Sequence, residues 1–406
     1  MVLKQGDETN LNINSRIQDY SLKQDFDLFL NTGKLKFGFI STYHKIVPGV
    51  VTASSNINFE ELTNKYSWEN GIYISHQYNF TSRIKAEYGG RLSIFSLLGP
   101  GSFYKYDKEG NLVNSETYSS GEFVKTYINL EPRASINYLV NEESSVKVAY
   151  ARNVQNLHLL SNSTSTNPTD LWIPSSNNVK PEISDQISLG YFRNFADNEY
   201  EFSIESYYKN LQNQIDYRDG AELNFNDNVE SEILYGKGRA YGLEFYLKKK
   251  YGKFNGWVSY TLSRTERKFD EINNGEFYPA KYDRTHDISV VGMYEFNKRW
   301  SASATWVYYT GNAVTFPSGK YNIDGNTMLL YTERNAERMP DYHRLDLGVT
   351  WIKKKTEKFE SSWNFSLYNA YGRKNAYTIS FRDNADDPTR TEAVQTTLFR
   401  FIPSVT

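Results

Sequence analysis

Cysteine is absent from this 406-residue chain. That excludes a disulfide framework, a thiolate metal site and a cysteine nucleophile. Net charge is nearly absent too. Lys and Arg number 46 against 48 Asp and Glu, a formal charge of −2, so there is no basic footprint and no nucleic-acid partner is expected. Helical periodicity is scarce, and no apolar run approaches the eighteen or so residues of a spanning helix. The mean hydropathy of −0.65 reads as that of a soluble protein. There is no Pro/Ser linker, low-complexity block or change of texture to mark a domain boundary. G-x-S-x-G, P-loop and G-x-G-x-x-G patterns are missing, and the five histidines (44, 76, 158, 286 and 343) show no H-E-x-x-H spacing. Asp270 to Gly275 resembles a calcium loop, but Ile272 stands where an oxygen ligand is required. No catalytic residue, metal or cofactor is therefore expected. The start, MVLKQGDETN, is polar, and no signal peptide is expected within it.

Aromatic residues, by contrast, are plentiful: 33 Tyr, 24 Phe and 7 Trp. A soluble core of this size normally leans on Leu, Ala and Val instead. The pattern that carries them is alternation. In Gly238–Phe269, Leu243, Phe245 and Leu247 alternate with Gly242, Glu244 and Lys248. After the turn Lys249–Lys253, Val258, Tyr260 and Leu262 alternate with Ser259, Thr261 and Ser263. Period two means a strand with one apolar and one polar face. The same hairpin recurs about seven times: 17–31 with 34–46, 66–80 with 83–97, 124–139 with 144–154, and 183–195 with 199–217. It continues as 233–248 with 254–268, 283–296 with 300–313, and 341–353 with 361–382. A last strand is expected near Val394.

Connections alternate between short turns and long loops (roughly 98–123, 155–182, 218–232, 269–282 and 314–340), the layout of outer-membrane barrels. Such barrels cross with about 9–11 residues per strand, which hydropathy windows miss. The expected fold is all-β, a transmembrane antiparallel up-and-down β-barrel with about fifteen strands, occupying residues 1–406 as one barrel domain. Aromatics near strand ends suit two interfacial girdles: Tyr78, Phe80, Tyr207, Tyr208, Trp257, Trp300, Trp306, Tyr308, Tyr309, Trp351 and Trp363. Fifteen strands are an odd number, whereas bacterial single-chain barrels use an even one. The expectation is a chain that begins inside a longer one and stops in mid-strand at Phe401–Thr406.

The segments KPEISDQISLGYFRNF (180–195), Gly238–Phe269, YPAKYDRTHDISVVGMYEFNKRWSASATWVYYTGNAVTFPSG (278–319) and PDYHRLDLGVTWIKKK (340–355), taken in order, resemble the barrel of TonB-dependent outer-membrane receptors, particularly those of Bacteroidetes. The resemblance covers essentially the whole chain. It implies a 22-stranded barrel with a plug in its lumen, of which this chain holds the later strands, the plug and first strands lying upstream. Thr406 departs from the terminal aromatic residue usual in such barrels. The implied activity is import of a bulky nutrient (siderophore, vitamin, glycan or peptide) through the outer membrane of a Gram-negative cell. The implied partners are outer-membrane lipid, TonB through the plug, the small nutrient ligand and a surface lipoprotein over the loops. A passive porin-like or adhesin-like barrel and an outer-membrane barrel hydrolase stand as alternatives.

Candidate ligand contacts fall in two stretches. In the long loop from Asn153 to Asn178, Trp172 offers a ring for a flat ligand and His158 a polar group; the competing reading is a loop that folds on its neighbour. In the second stretch, Tyr278, Arg284 and His286 lie under a long loop, and strict alternation puts Arg284 and His286 on one face. The competing reading, a salt-bridge network tying loop to wall, outweighs the ligand reading there.

Overall fold

A computed structural model describes residues 2–5, 9–53, 63–160, 171–221, 228–323, 326–387 and 390–406. Fifteen strands form one continuous wall: β1 (Thr9–Leu30), β2 (Gly33–Ala53), β3 (Lys65–Asn79), β4 (Ile84–Leu98) and β5 (Phe123–Leu139). These continue as β6 (Ser144–Gln155), β7 (Glu182–Phe195), β8 (Tyr200–Tyr217), β9 (Ile233–Lys249) and β10 (Phe254–Lys268). The last five are β11 (His286–Asn297), β12 (Trp300–Tyr309), β13 (Tyr342–Lys355), β14 (Glu360–Tyr368) and β15 (Ile402–Val405). Each pairs antiparallel with the next, and a short strand Val2–Gln5 pairs with β1. No ladder joins β15 to β1 among the described residues. Among the described residues no helix is long and apolar enough to cross a membrane.

Register shows why the two faces differ. Val146, Tyr191, Ile204, Phe245, Tyr260, Ile288, Tyr308 and His343 are successive partners across eight strands. One residue over, Ser203, Tyr246, Ser259, Ser289, Val307 and Arg344 form the neighbouring row on the other face. The first face is the greasy one. Ile72, Ile128, Leu130 and Ile187 on it are 62%, 67%, 62% and 59% exposed, a pattern that water would penalise and hydrocarbon rewards. The second face carries ion pairs such as Arg91–Glu69 and Lys34–Asp27.

Short turns do alternate with long loops all along the meander. The turn Ala196–Asp197–Asn198 holds three consecutive left-handed residues, with φ of 52°, 54° and 64°, where short polar side chains are tolerated best. At the short-turn end, Trp300, Trp351 and Trp363 are consecutive partners, with the first two rings stacked 5.7 Å apart. Tyr78 and Phe80 meet edge-on at 4.7 Å. Tyr207, Trp257 and Tyr309 are corrections to the girdle assignment. Each pairs within the polar row: Tyr207 opposite Ser188, Trp257 opposite Lys248, Tyr309 opposite Asp287. Closeness to a strand end does not set the face; parity does.

The chain after β14 also differs from expectation. The strand expected over 361–382 ends at Tyr368, because Asn369 (φ 53°) and Gly372 (φ 64°) turn the backbone. Thr378–Asp383 pairs instead with Thr391–Thr396, so the strand expected near Val394 belongs to a loop hairpin and the last wall strand is β15. Other long loops hold hairpins too: Gly101–Tyr106 with Leu112–Tyr118, Leu157–Leu160 with Leu171–Pro174, and Gly319–Ile323 with Asn326–Leu330.

Among the described residues, the closed apolar clusters sit where this loop layer meets the ends of β8 and β9. Leu160, Ile173, Val179, Ile215, Val229 and Ile233 form one, and Leu234, Phe269, Ile272 and Tyr278 another. A lipid-facing wall needs no dry interior of its own. Loops in water do, and they bury apolar groups against one another to offset their ordering entropy.

Candidate functional site

The loop layer is cross-linked by polar contacts over long sequence distances. Tyr106 Oη donates to Asn228 Oδ1 at 3.0 Å, and Asn177 and Asn178 Nδ2 both donate to the Tyr104 carbonyl at 2.8 Å. Ser176 Oγ and Asn178 Nδ2 donate to Glu230 Oε2 at 2.9 and 2.5 Å, while burial raises the Glu230 carboxyl. Arg334 Nη1 donates to Asp216 Oδ1 at 2.6 Å and to the Tyr217 carbonyl at 2.7 Å, and its guanidinium covers the Tyr217 ring at 4.4 Å. Loops pinned this way keep binding groups in place without paying for their order at the moment of capture.

The five sequence candidates do not converge; they fall at four places. His158 lies in the loop hairpin, 1% exposed, with Nε2 3.1 Å from Ser175 Oγ. It is a packed histidine, and burial lowers its pKa to about 4. Trp172 is partly exposed on the paired strand and lines a cavity of about 50 Å³ with Phe103, Tyr104 and Tyr106. That volume holds a few waters. Tyr278 is 3% exposed and donates to Asp216 Oδ2 at 2.9 Å; burial, then the Asp216 charge, pushes its phenol up. Part of the Asn153–Asn178 loop, residues 161–170, lies outside the described residues.

Arg284 and His286 end up on opposite faces, against strict alternation, because β11 starts only at His286. His286 joins the greasy face as the partner of Leu262, its Nδ1 2.9 Å from Tyr260 Oη. Arg284 precedes the strand and turns to the polar face, stacking on Tyr309 at 3.8 Å. The loop-to-wall network exists, but its centre is Asp283. This 1% exposed carboxylate receives the Thr265 N–H at 2.5 Å and an Arg338 N–H.

Arg284 opens onto a cavity of about 290 Å³ at the loop end of the polar face, walled by Tyr309, Asn312, Tyr342, Tyr368 and Tyr377. Tyr309 and Tyr342 stack 4.5 Å apart, 2° from parallel. Beside them Arg344 covers Tyr368 at 4.3 Å, and its Nη1 donates to Tyr342 and Tyr368 Oη at 3.0 and 2.9 Å. The Arg284 guanidinium, backed by the Tyr309 ring, can stack a planar group and pair with an anion, while Arg344 donates through Nε to Asp346 Oδ2 at 2.9 Å and holds the tyrosines in place. Tyr342, Arg344 and Tyr368 were missed in the sequence. The signal was there: all three hold the polar parity of their strands, where large tyrosines are out of place unless they line something.

An antiparallel meander with one greasy and one wet face, short turns at one end and an interlocked loop layer at the other, is the wall of an outer-membrane β-barrel. The chain belongs to the TonB dependent receptor-like, beta-barrel family, whose model matches residues 4–371. Among solved structures it is similar to the FrpB iron transporter of Neisseria meningitidis (TM-score 0.59, 13% identity, covering 96% of this chain and 54% of that one). It is also similar to the ferric-catecholate import receptor Fiu of E. coli K12 (TM-score 0.57, 13% identity, 98% and 55%). A third is the ferripyoverdine receptor of the Pseudomonas aeruginosa outer membrane (TM-score 0.57, 11% identity, 97% and 49%). The chain thus spans about half the length of these structures. No curated protein matches it.

One consequence of the buried imidazole is testable. A neutral His158 contributes stability above its unfolded value of 6.5, and that contribution is lost as pH falls from there towards about 4. Amides 157–160 and 171–174 are expected to lose hydrogen-exchange protection at pH 4.5 relative to pH 7.5. His158→Gln is expected to flatten that dependence. Equal pH dependence in both proteins would contradict the packed neutral imidazole.

Proposed function

We propose that this chain is the barrel portion of a receptor that imports a bulky nutrient across the outer membrane, drawing energy through TonB. The observation that supports it most is the Arg284–Tyr309–Tyr342–Tyr368 cavity, set at the loop end of a wet-faced wall. Membership of the TonB-dependent receptor family supports the energised mode. In this reading a plug outside the present chain fills the lumen and contacts TonB, ligand occupancy is passed from the loops to the plug, and a surface lipoprotein covers the loops. The wall itself does no bond chemistry. Siderophore, vitamin, glycan and peptide all fit a bulky nutrient, and the Arg284 guanidinium among the cavity's tyrosines favours one with an anionic, flat portion.

The test uses cells making the full-length receptor. Uptake of labelled ferric chelates, cobalamin, oligosaccharides and peptides is measured with and without TonB. Uptake of one class that vanishes without TonB is expected; uptake that persists would mark a passive pore. Arg284→Ala is expected to weaken binding of the imported class about tenfold, since a charge-assisted contact contributes on the order of 1.5–3 kcal/mol. Titration of the purified receptor reads this, and unchanged affinity would remove Arg284 from the site.

A further inference from the structure

The greasy face ends abruptly at the loop side of β9 and β10. Following β9 along that face, Leu247, Phe245 and Leu243 give way to Tyr241, then Arg239, then Lys237. Their partners on β10 are Arg264 opposite Tyr241, Glu266 opposite Arg239, and Lys268 opposite Lys237. Glu266, 4% exposed, accepts from Arg239 Nε and Arg264 Nε, each at 2.7 Å. It is the only acid in these three pairs, so four cations and one carboxylate leave three positive charges unmatched. Among the described residues no ion pair reaches Lys237 or Lys268, and like charges set directly opposite in a ladder destabilise it. Phe277, from the loop after β10, backs the group, its ring 4.1 Å from Arg239 and 5.7 Å from Lys268.

Depth identifies what neutralises this patch. Tyrosines on a lipid-facing wall mark the interface. Two residues of strand advance roughly 7 Å, or about 5 Å in height at the usual tilt. Arg239 therefore stands about 5 Å and Lys237 about 10 Å above the level of Tyr241. The polar layer of each leaflet is about 5–8 Å deep. Arg264 and Arg239 lie at headgroup level on the side that carries the loops, Lys237 and Lys268 stand just above it with stems long enough to reach back, and the apolar strip of Leu243, Phe245 and Leu262 lies directly below.

We infer that Lys237, Arg239, Arg264 and Lys268 form a binding site for an outer-leaflet lipid whose headgroup carries two phosphates, its acyl chains lying down the Leu243–Leu262 strip. A phosphate monoester carries about −1.5 to −2 charges at neutral pH. Two of them match the unmatched positive charge, and the planar guanidinium groups suit phosphate oxygens. Such a lipid removes the Lys237–Lys268 repulsion and ties β9 to β10 where the loop layer begins. The inference rests on the outer-membrane placement of the wall and not on the identity of the nutrient.

The experiment uses the purified full-length receptor, delipidated in neutral detergent and titrated by native mass spectrometry. The probes are a hexa-acylated glucosamine disaccharide bearing two phosphates, the same glycolipid with both phosphates removed, and inorganic phosphate. The diphosphorylated lipid is expected to bind at least tenfold tighter than its dephosphorylated form. Lys237→Gln with Lys268→Gln is expected to remove that preference, leaving the Glu266 pairs intact. Heat-modifiable gel migration checks that the variant is folded. Should it fail to fold, Arg264→Gln alone is expected to weaken binding about fivefold. Equal binding of the two glycolipids, or unchanged preference in the folded variants, overturns the site. Displacement of the lipid by millimolar inorganic phosphate overturns the lipid assignment in favour of a soluble anion. TonB-dependent uptake by the same variants reports separately on the import reading.

Discussion

Phe245→Arg is expected to abolish assembly of the barrel. Phe245 sits on the greasy face of β9, four residues below the interfacial Tyr241 and between Ile204 and Tyr260, its ring stacked on Tyr260 at 6.1 Å and 20°. Arginine at the bilayer midplane of a barrel wall costs about 2–4 kcal/mol. Losing the aromatic pair adds on the order of 1 kcal/mol. That total is a large fraction of the 5–15 kcal/mol that folded proteins typically have in reserve, and it falls on an insertion step that offers the guanidinium no partner. The control is Ser259→Arg, one residue over on the opposite face, between Tyr246 and Ser289. It keeps its charge in the wet lumen and is expected to assemble nearly as well as the parent. Heat-modifiable migration of the full-length receptor, with outer-membrane yield, reads both. A Phe245→Arg protein that migrates and accumulates like the parent would mean the face assignment is reversed, and the transport reading would go with it.

The wall was legible because alternation is a local property. Leu243, Phe245 and Leu247 announce their face without reference to anything distant, and most expected strand boundaries lie within a few residues of those found. The same rule failed where backbone departs from strand geometry. Arg284 was assigned to the face of His286 on the assumption that alternation starts at Asp283, whereas the extended run starts at His286. Nearness to a strand end puts Tyr309 in a girdle; counting parity from Trp306 puts it in the lumen. Of the loop layer, only the extents of the long loops and the tie to the wall near Asp283 were legible. Its strands are short, and what fixes them is remote: Tyr106 holds Asn228, Arg334 holds Asp216, and Ser176 holds Glu230. No window of sequence contains both partners. The candidate cavity suffers the same way, drawing Arg284, Tyr309, Tyr342, Tyr368 and Tyr377 from three long loops and the strand ends beside them.

Arg338→Ala is expected to free the loop between β12 and β13 from the wall without unfolding the barrel. Asp283 is 1% exposed, and its carboxylate depends on the Thr265 N–H and an Arg338 N–H. Arg338 also donates through Nη1 to the Asp283 and Gly311 carbonyls at 2.8 and 3.2 Å. Removing the arginine leaves a buried charge with one donor and two carbonyls short of a partner, a loss in the range of 3–5 kcal/mol for a fully buried pair. The Arg338 side chain is 31% exposed, so water recovers part of this, and about 3 kcal/mol is the expected cost. The wall ladders are untouched, and the loss is absorbed locally. The pair Ala313–Val314 with Glu337–Arg338 opens, and the Met339 N–H leaves the Asn312 carbonyl, now 2.9 Å away. Hydrogen exchange at 311–315 and 337–339 is expected to rise about a hundredfold, with normal heat-modifiable migration. Pairing the change with Asp283→Asn removes the stranded charge and is expected to restore part of the protection. Unchanged exchange in Arg338→Ala would show that the loop is held by something other than Asp283. Asn312 and Met339 also line the cavity beside Arg284. A loop released there widens the cavity on its mobile side, so the variant is also expected to bind ligand more weakly than Arg284→Ala does, though it removes no group that lines the cavity. That ordering would place the strength of capture in the anchoring of the loop as much as in the residues that meet the ligand.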